Sequence, residues 1–213
     1  MKLLNFTQIL HGIHGCFKIH GMTENSRNLN GFSKFFKHLH TIDQHRYVVM
    51  RNCFKCGLYR QGLRHDLSKY SVKEFWESVK YFQGDRSPYI YEKEHFGYAN
   101  GWLHHKGRNK HHWEYWYDML NGKWSPIQMP FNYFVEMVCD RVGACRIYQK
   151  DKYTKESALQ YYLSRKDKGY MHPETARMLE EVLRDISVRG EDAVFADLKV
   201  KVRQWKHDKR NPL

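Results

Sequence analysis

The stretch TIDQHRYVVMRNCFKCGLYRQGLRHDLSKYSVKEFWESVKYF, residues 41–82, decides the fold. Thr41-Ile-Asp-Gln44 has the form of a capping box, a hydroxyl followed three residues on by a side-chain amide. Together these satisfy backbone groups that a first helical turn leaves open. The pattern predicts a helix from Thr41 to about Leu58, with Gly57 and Gly62 bracketing its end and a short helix over Leu63–Lys69. Ser71-Val-Lys-Glu74 repeats the capping pattern. Phe75, Trp76, Val79 and Phe82 follow at helical spacing and predict a helix to about Tyr81.

On the C-terminal side, QGDRSPYIY (83–91) reads as a loop because of Gly84, Pro88 and the polar residues between them. A long helical pattern covers Lys93 to about Met119, weakened locally by Gly97, Gly101 and Gly107. Asn121-Gly122, Pro126 and Pro130 mark the next connection. Asn132 then caps a helix to about Gln149, with Phe134, Val135, Val138, Val142 and Ile147 available for burial. Further helices are expected over 155–166, 173–189 and 191–207, with Pro173 at a first helical position. On the N-terminal side, residues 1–38 are rich in Gly, Asn, His and Lys, show weak periodicity, and read as a loosely ordered lead-in. Little reads as strand, and no internal repeat is present. The expectation is an all-α protein. Its single helical domain covers 39–213, with a core at about 41–147 and C-terminal helices over 155–207.

Of the 213 residues, 41% are hydrophobic and 15% aromatic, enough to bury a core and to exclude wholesale disorder. No apolar run approaches the ~20 residues that span a bilayer. His11, His14 and Lys18 interrupt the apolar start, so a cytoplasmic protein without a membrane partner is expected. The five cysteines (Cys16, Cys53, Cys56, Cys139 and Cys145) are irregularly spaced and do not form a disulfide framework. Cys53 and Cys56 share one helix face with no second CxxC to complete a zinc site, and read as buried thiols. The net charge of +13 is spread along the chain. It suits phosphates, nucleotides or nucleic acid and names no partner by itself.

Four places offer metal-ligating side chains: His45, the pair His65-Asp66, the cluster from His104 to His112, and Asp140. Imidazole and carboxylate suit manganese, iron, magnesium, nickel or zinc. An adjacent His-Asp pair allows one carboxylate to bridge two ions while its neighbour binds one of them. Helices that each give one or two ligands assemble such a site only when folded. At about 100° per residue, His105, Asn109 and His112 share a stripe with Trp102 and Trp116, and His104, Arg108, His111 and Tyr115 form the neighbouring stripe. Trp102, Trp113, Tyr115 and Trp116 read as core in preference to a base-stacking platform. Glu114 is either a general acid or base beside a metal-bound water or an exposed helical carboxylate. Arg64 and Arg108 are either phosphate clamps or solvated surface.

Taken in order, His45, His65-Asp66 and the Asp140 of Met137-Val-Cys-Asp-Arg141 resemble the HD-domain superfamily of metal-dependent phosphohydrolases, over roughly residues 41–147. Lys69 matches a lysine that follows the aspartate by three residues in many members, where it faces phosphate. Members with extra histidines use them to complete a two-metal site, so the resemblance implies His105 and His112 as added ligands. Asn109 would then orient a ligand or hold a phosphate oxygen. More narrowly, His65-Asp-Leu-Ser-Lys69, Asn109-Lys-His-His-Trp-Glu-Tyr115 and Glu136-Met-Val-Cys-Asp140 resemble a group of uncharacterised bacterial and phage proteins that share HDLSK and N-x-HH-x-E-Y motifs. That narrower likeness implies little about a reaction.

The wider resemblance implies an HD-like helical bundle and a phosphohydrolase acting on a nucleotide or other small phosphoester. In it, His45, His65, Asp66, His105, His112 and Asp140 hold one or two divalent ions and a metal-activated water attacks phosphorus. Asp66 and Lys69 are the expected catalytic residues, and Lys69, Arg64 and Asn109 the expected phosphate contacts. Two alternatives stand beside it. One is a di-iron oxygenase-type enzyme on an HD-like fold, for which six ligands are available. The other is a basic helical nucleic-acid-binding protein without catalysis. It rests on the charge of +13, since no helix-turn-helix or zinc-finger spacing is present.

Overall fold

The computed structural model describes residues 31–84, 86–165 and 169–210, with side chains to Asp208. Residues 1–30 of the expected lead-in lie outside the described residues. The described chain is all-α apart from one hairpin. In order it runs α1 (Gly31–Lys55), α2 (Tyr59–Arg64), α3 (Val72–Tyr81), α4 (Pro88–Phe96), α5 (Asn100–Arg108), β1 (Tyr117–Leu120), β2 (Lys123–Pro126), α6 (Phe131–Gln149), α7 (Ser157–Leu163), α8 (Pro173–Arg189) and α9 (Glu191–Arg210). Single 3-10 turns lie at Leu67–Tyr70, Trp113–Tyr115 and Lys150–Lys152. Among the described residues no helix is long and apolar enough to cross a membrane.

Helix α1 sets the arrangement. Its buried side chains, His38, Ile42, His45, Val49, Asn52 and Cys53, recur every three or four residues and form one stripe. Two histidines therefore face inward with the aliphatic residues. The stripe packs on α6, which is buried without a break from Phe134 to Cys139. Gly143 lets the two helices approach closely, since a Cβ there would meet Val49 Cγ2 at 2.7 Å. Helices α8 and α9 close the core with Leu179, Leu183, Ile186, Phe195 and Leu198. A smaller cluster of Ile42, Phe75 and Val79 joins α1 to α3. Cys53, Cys56, Cys139 and Cys145 are buried in the main core. The Cys139 thiol donates to Cys56 Sγ at 3.7 Å. Cys16 lies outside the described residues.

Several local expectations are corrected. Thr41 lies inside α1, which already includes Gly31, and its hydroxyl donates to the Lys37 carbonyl one turn back at 2.8 Å. The predicted loop 83–91 contains the start of α4, because Pro88 takes a first-turn position where its missing N–H costs nothing. The long helix 93–119 breaks at Gly97, a left-handed cap with φ 77°, and ends at Arg108, beyond which Asn109 is extended. Asn121 and Gly122, both at positive φ, turn a two-residue hairpin between β1 and β2. The Asn132 cap is shifted: α6 begins at Phe131, and the Asn132 amide donates to Gln61 Oε1 at 3.1 Å. The expected helix 155–166 is shorter, Ser157–Leu163, whereas α8 and α9 lie where the sequence places them.

Candidate metal centre

The pair His65-Asp66 sits in a sharp turn between α2 and the 3-10 turn. Asp66 adopts a left-handed backbone, φ 54° and ψ 24°, which aspartate tolerates better than most residues. Arg46 on α1 pins this turn by donating from Nε to the His65 carbonyl at 2.8 Å and from Nη2 to the Leu63 carbonyl at 3.2 Å. As a result both side chains point inward, and His65 is 2% and Asp66 1% exposed.

Asp66 is shared by two sets of ligand atoms. His45, His65, Asp66 and Asp140 offer one atom each, all within 4.8 Å of one another, and so do Asp66, His105, His111 and His112. The two aspartate oxygens divide the work. Oδ2 lies 3.5 Å from His45 Nε2 and 3.4 Å from His65 Nε2. Oδ1 lies 3.3 Å from His105 Nε2 and 3.4 Å from His111 Nε2. Asp140 Oδ1 completes the first set, 3.0 Å from His45 Nε2 and 3.6 Å from His65 Nε2.

Outer carboxylates fix the rings. Glu136 Oε1 accepts from Nδ1 of His65 at 3.0 Å and lies 3.2 Å from Nδ1 of His111. Glu74, fully buried, accepts from His104 Nδ1 at 2.6 Å, His105 Nδ1 at 2.8 Å and the Ser68 hydroxyl at 3.0 Å. A carboxylate can only accept, so the ring proton sits on Nδ1 and the Nε2 lone pair faces Asp66. This arrangement also explains a third set that could hold an ion, His65, His111 and Glu136. There the short contacts use Nδ1, so Glu136 orients two ligands from behind.

Unpartnered atoms test the fit to a cation. His45 Nε2, His65 Nε2, Asp66 Oδ1, His111 Nε2 and His112 Nε2 are buried and make no hydrogen bond. Orphaned buried polar atoms are rare and costly. Five converging on one spot, all borderline or hard donors, form a group that could hold metal ions. The charge balance agrees. Burial would raise the acids, yet His65, Lys69 and His105 hold Asp66 well below the usual range, and the facing imidazoles of His45, His65 and His111 hold Asp140 down. Glu136 is held at about 2 against burial by its bonds to His111 and His65. Burial lowers His65 and His105, but the facing carboxylates outweigh it and leave both raised. The anionic cluster thus calls for positive charge, from protons or from metal.

The remaining sequence candidates fall on both sides of this site. Lys69 Nζ lies 2.6 Å from Asp66 Oδ2 and lines a cavity of about 450 Å³ that opens beside the ligands. Asn109 caps α5 by donating to Ser68 Oγ and to the His105 carbonyl, both at 2.8 Å, so it positions a ligand and does not line the cavity. Arg64 is exposed and away from the cavity wall, where Arg86, Lys93, Arg141 and Arg165 lie instead. Trp113 and Trp116 pack on the core as expected, although Trp113 also lines the cavity with Trp102, and Tyr115 is exposed in place of the expected core position. Glu114 is a half-buried carboxylate on a 3-10 turn at the cavity wall, not an exposed helical one.

Three participants were not singled out from sequence. Helical spacing places His111 on the neighbouring stripe, but the helix ends at Arg108, so the stripe no longer decides. Glu136 lies one helical turn before Asp140 on α6, and that i, i+4 spacing of acids was the available signal. Glu74 has the spacing of the second half of a capping box. The Ser71 half forms, its hydroxyl accepting from the Glu74 N–H at 3.4 Å, while the Glu74 side chain turns to the histidines.

No curated protein and no solved structure matches the chain. The model of one family, DUF5662, described as a family of unknown function, matches residues 34–185. That span contains every residue of the two ligand sets, and the chain belongs to this family.

Proposed function

We propose that the protein is a two-metal phosphohydrolase acting on a small phosphoester. The observation that carries this reading is Asp66, whose two oxygens face two separate imidazole sets, as a carboxylate bridging two ions must. Divalent ions at these positions would supply Lewis acidity toward a phosphoryl oxygen and an activated water. His45, His65 and Asp140 would hold one ion, His105, His111 and His112 the other, and Glu74 and Glu136 keep the rings aligned. Lys69 is kept protonated by Asp66 and Asp140 despite its burial, and it presents a fixed positive charge to a phosphate oxygen from the cavity side. The order His45, His65-Asp66, Lys69, Asp140 supports phosphoester chemistry by family analogy.

The test is elemental analysis of the purified protein, with hydrolysis of a panel of phosphomonoesters and phosphodiesters in manganese. Stoichiometric metal and manganese-dependent turnover are expected. Lys69→Gln should lose on the order of 10²-fold in kcat while keeping its metal. Absence of both metal and turnover would overturn the proposal.

A further inference from the structure

Beyond the ligand sets, the cavity wall carries cations that have no carboxylate partner among the described residues: Lys93, Arg141 and Arg165, each half-buried. Elsewhere the described arginines are commonly paired, as in Arg146–Glu191 at 2.8 Å, Arg184–Glu180 at 2.7 Å and Arg189–Asp197 at 2.7 Å. On the cavity wall aromatic faces take the place of acids. The Lys93 ammonium lies 4.8 Å from the Trp102 ring centroid, and the Arg165 guanidinium 5.0 Å from that of Tyr161. Burial lowers the pKa of Lys93, as expected for an ammonium short of compensating charge. Arg141 Nε is buried and makes no hydrogen bond. Among the described residues the carboxylates that line the cavity are Glu114 and Asp140; Asp140 faces His45 and His65, which leaves one carboxylate, raised by burial, against three cations.

This wall adjoins the second ligand set. Trp102 and His112 have ring centroids 4.8 Å apart, so two steps of that length lead from His112 to the Lys93 ammonium. A monophosphate at Asp66 would leave the far cations uncompensated, and an unpaired charge in a half-buried site is costly. The volume of about 450 Å³ suits a compact organic molecule. We infer that Lys93 and Arg165, with Arg141 lining the same cavity, form a second anion subsite. The ligand then carries two anionic groups on a short spacer, one a phosphate at Asp66. The location of that first phosphate rests on the phosphohydrolase reading.

Alkane α,ω-bisphosphonates with three- to five-carbon spacers, which resist hydrolysis, provide the test against alkylmonophosphonates of the same lengths. Binding is measured by calorimetry on the full chain loaded with manganese and freed of unbound metal. At least one bisphosphonate should bind about tenfold more tightly than its monophosphonate, beyond the twofold advantage of having two ends. The gap should shrink to about twofold in Lys93→Gln/Arg165→Gln and persist in the charge-keeping Lys93→Arg/Arg165→Lys. Manganese content and monophosphonate affinity should match the parent in both variants. No gap for any spacer, or a gap that survives the neutral variant, overturns the inference. A gap without bound manganese would remove the metal reading and leave the anion subsite standing, whereas manganese without a gap would do the reverse.

Discussion

Replacing Glu136 by glutamine removes one oxygen's acceptor capacity and one negative charge while keeping the shape. In the parent, Oε1 serves Nδ1 of both His65 and His111, and Oε2 accepts from Gln61 Nε2 at 2.7 Å. If the new amide turns its oxygen to the histidines, its NH2 meets the Gln61 NH2. If it turns the other way, it opposes two imidazole N–H groups. Gln61 is not free to flip in compensation, because it donates to the Asn132 carbonyl at 3.2 Å and accepts from the Asn132 amide at 3.1 Å. Either way the anionic acceptor is gone and the remaining contact is frustrated on one side, so one ligand from each set is held less firmly. Losses of this kind weaken metal binding roughly 10- to 100-fold, or about 1.4–2.7 kcal/mol. Chelator competition at fixed pH reads the change, with circular dichroism confirming the fold. A folded Glu136→Gln protein with parental metal affinity would refute the orienting role.

Gly143→Ala places a Cβ 2.7 Å from Val49 Cγ2 and must part α1 from α6. A loss of about 1–3 kcal/mol is expected, read as a Tm lower by several degrees, with weaker metal binding because the two helices carry His45 and Asp140. An unchanged Tm would show that the helices are not in close contact. His38 is held down to about 4 by burial and by Lys69. A base with a lowered folded pKa favours folding above its unfolded value of 6.5 and loses that advantage as pH falls toward 4, by up to about 3 kcal/mol. His38→Phe should flatten the denaturation midpoint between pH 6.5 and 4; a parental slope would mean that His38 is not buried neutral.

Legibility differed with the kind of signal. The helical period over α3, α8 and α9 arises from local burial on one face, and the sequence shows it directly. The pair His65-Asp66 and its relation to His45 and Asp140 were also legible, because the residue types are unusual together and keep their order. What failed depended on backbone breaks. Once the chain leaves the helix at Arg108, helical geometry no longer ranks His104, His105, His111 and His112. Of these, three join Asp66, and His104 bonds to Glu74. The Asn121-Gly122 hairpin was visible as a turn, but its four-residue strands lack enough buried alternation to read as strands. Glu74 shows how one residue can satisfy two local readings, since a glutamate three residues after a serine looks like a cap until the partner histidines, 30 and 31 residues on, are in place.

The central claim, that Asp66 bridges two ions, is tested most directly by counting metal. Elemental analysis of the gel-filtered protein should find about two divalent ions per chain, as in two-metal phosphoryl-transfer sites. Asp66→Asn, folded by circular dichroism, should lose at least one of them. Parent protein without stoichiometric metal, or an Asp66→Asn protein that keeps both ions, would contradict the account.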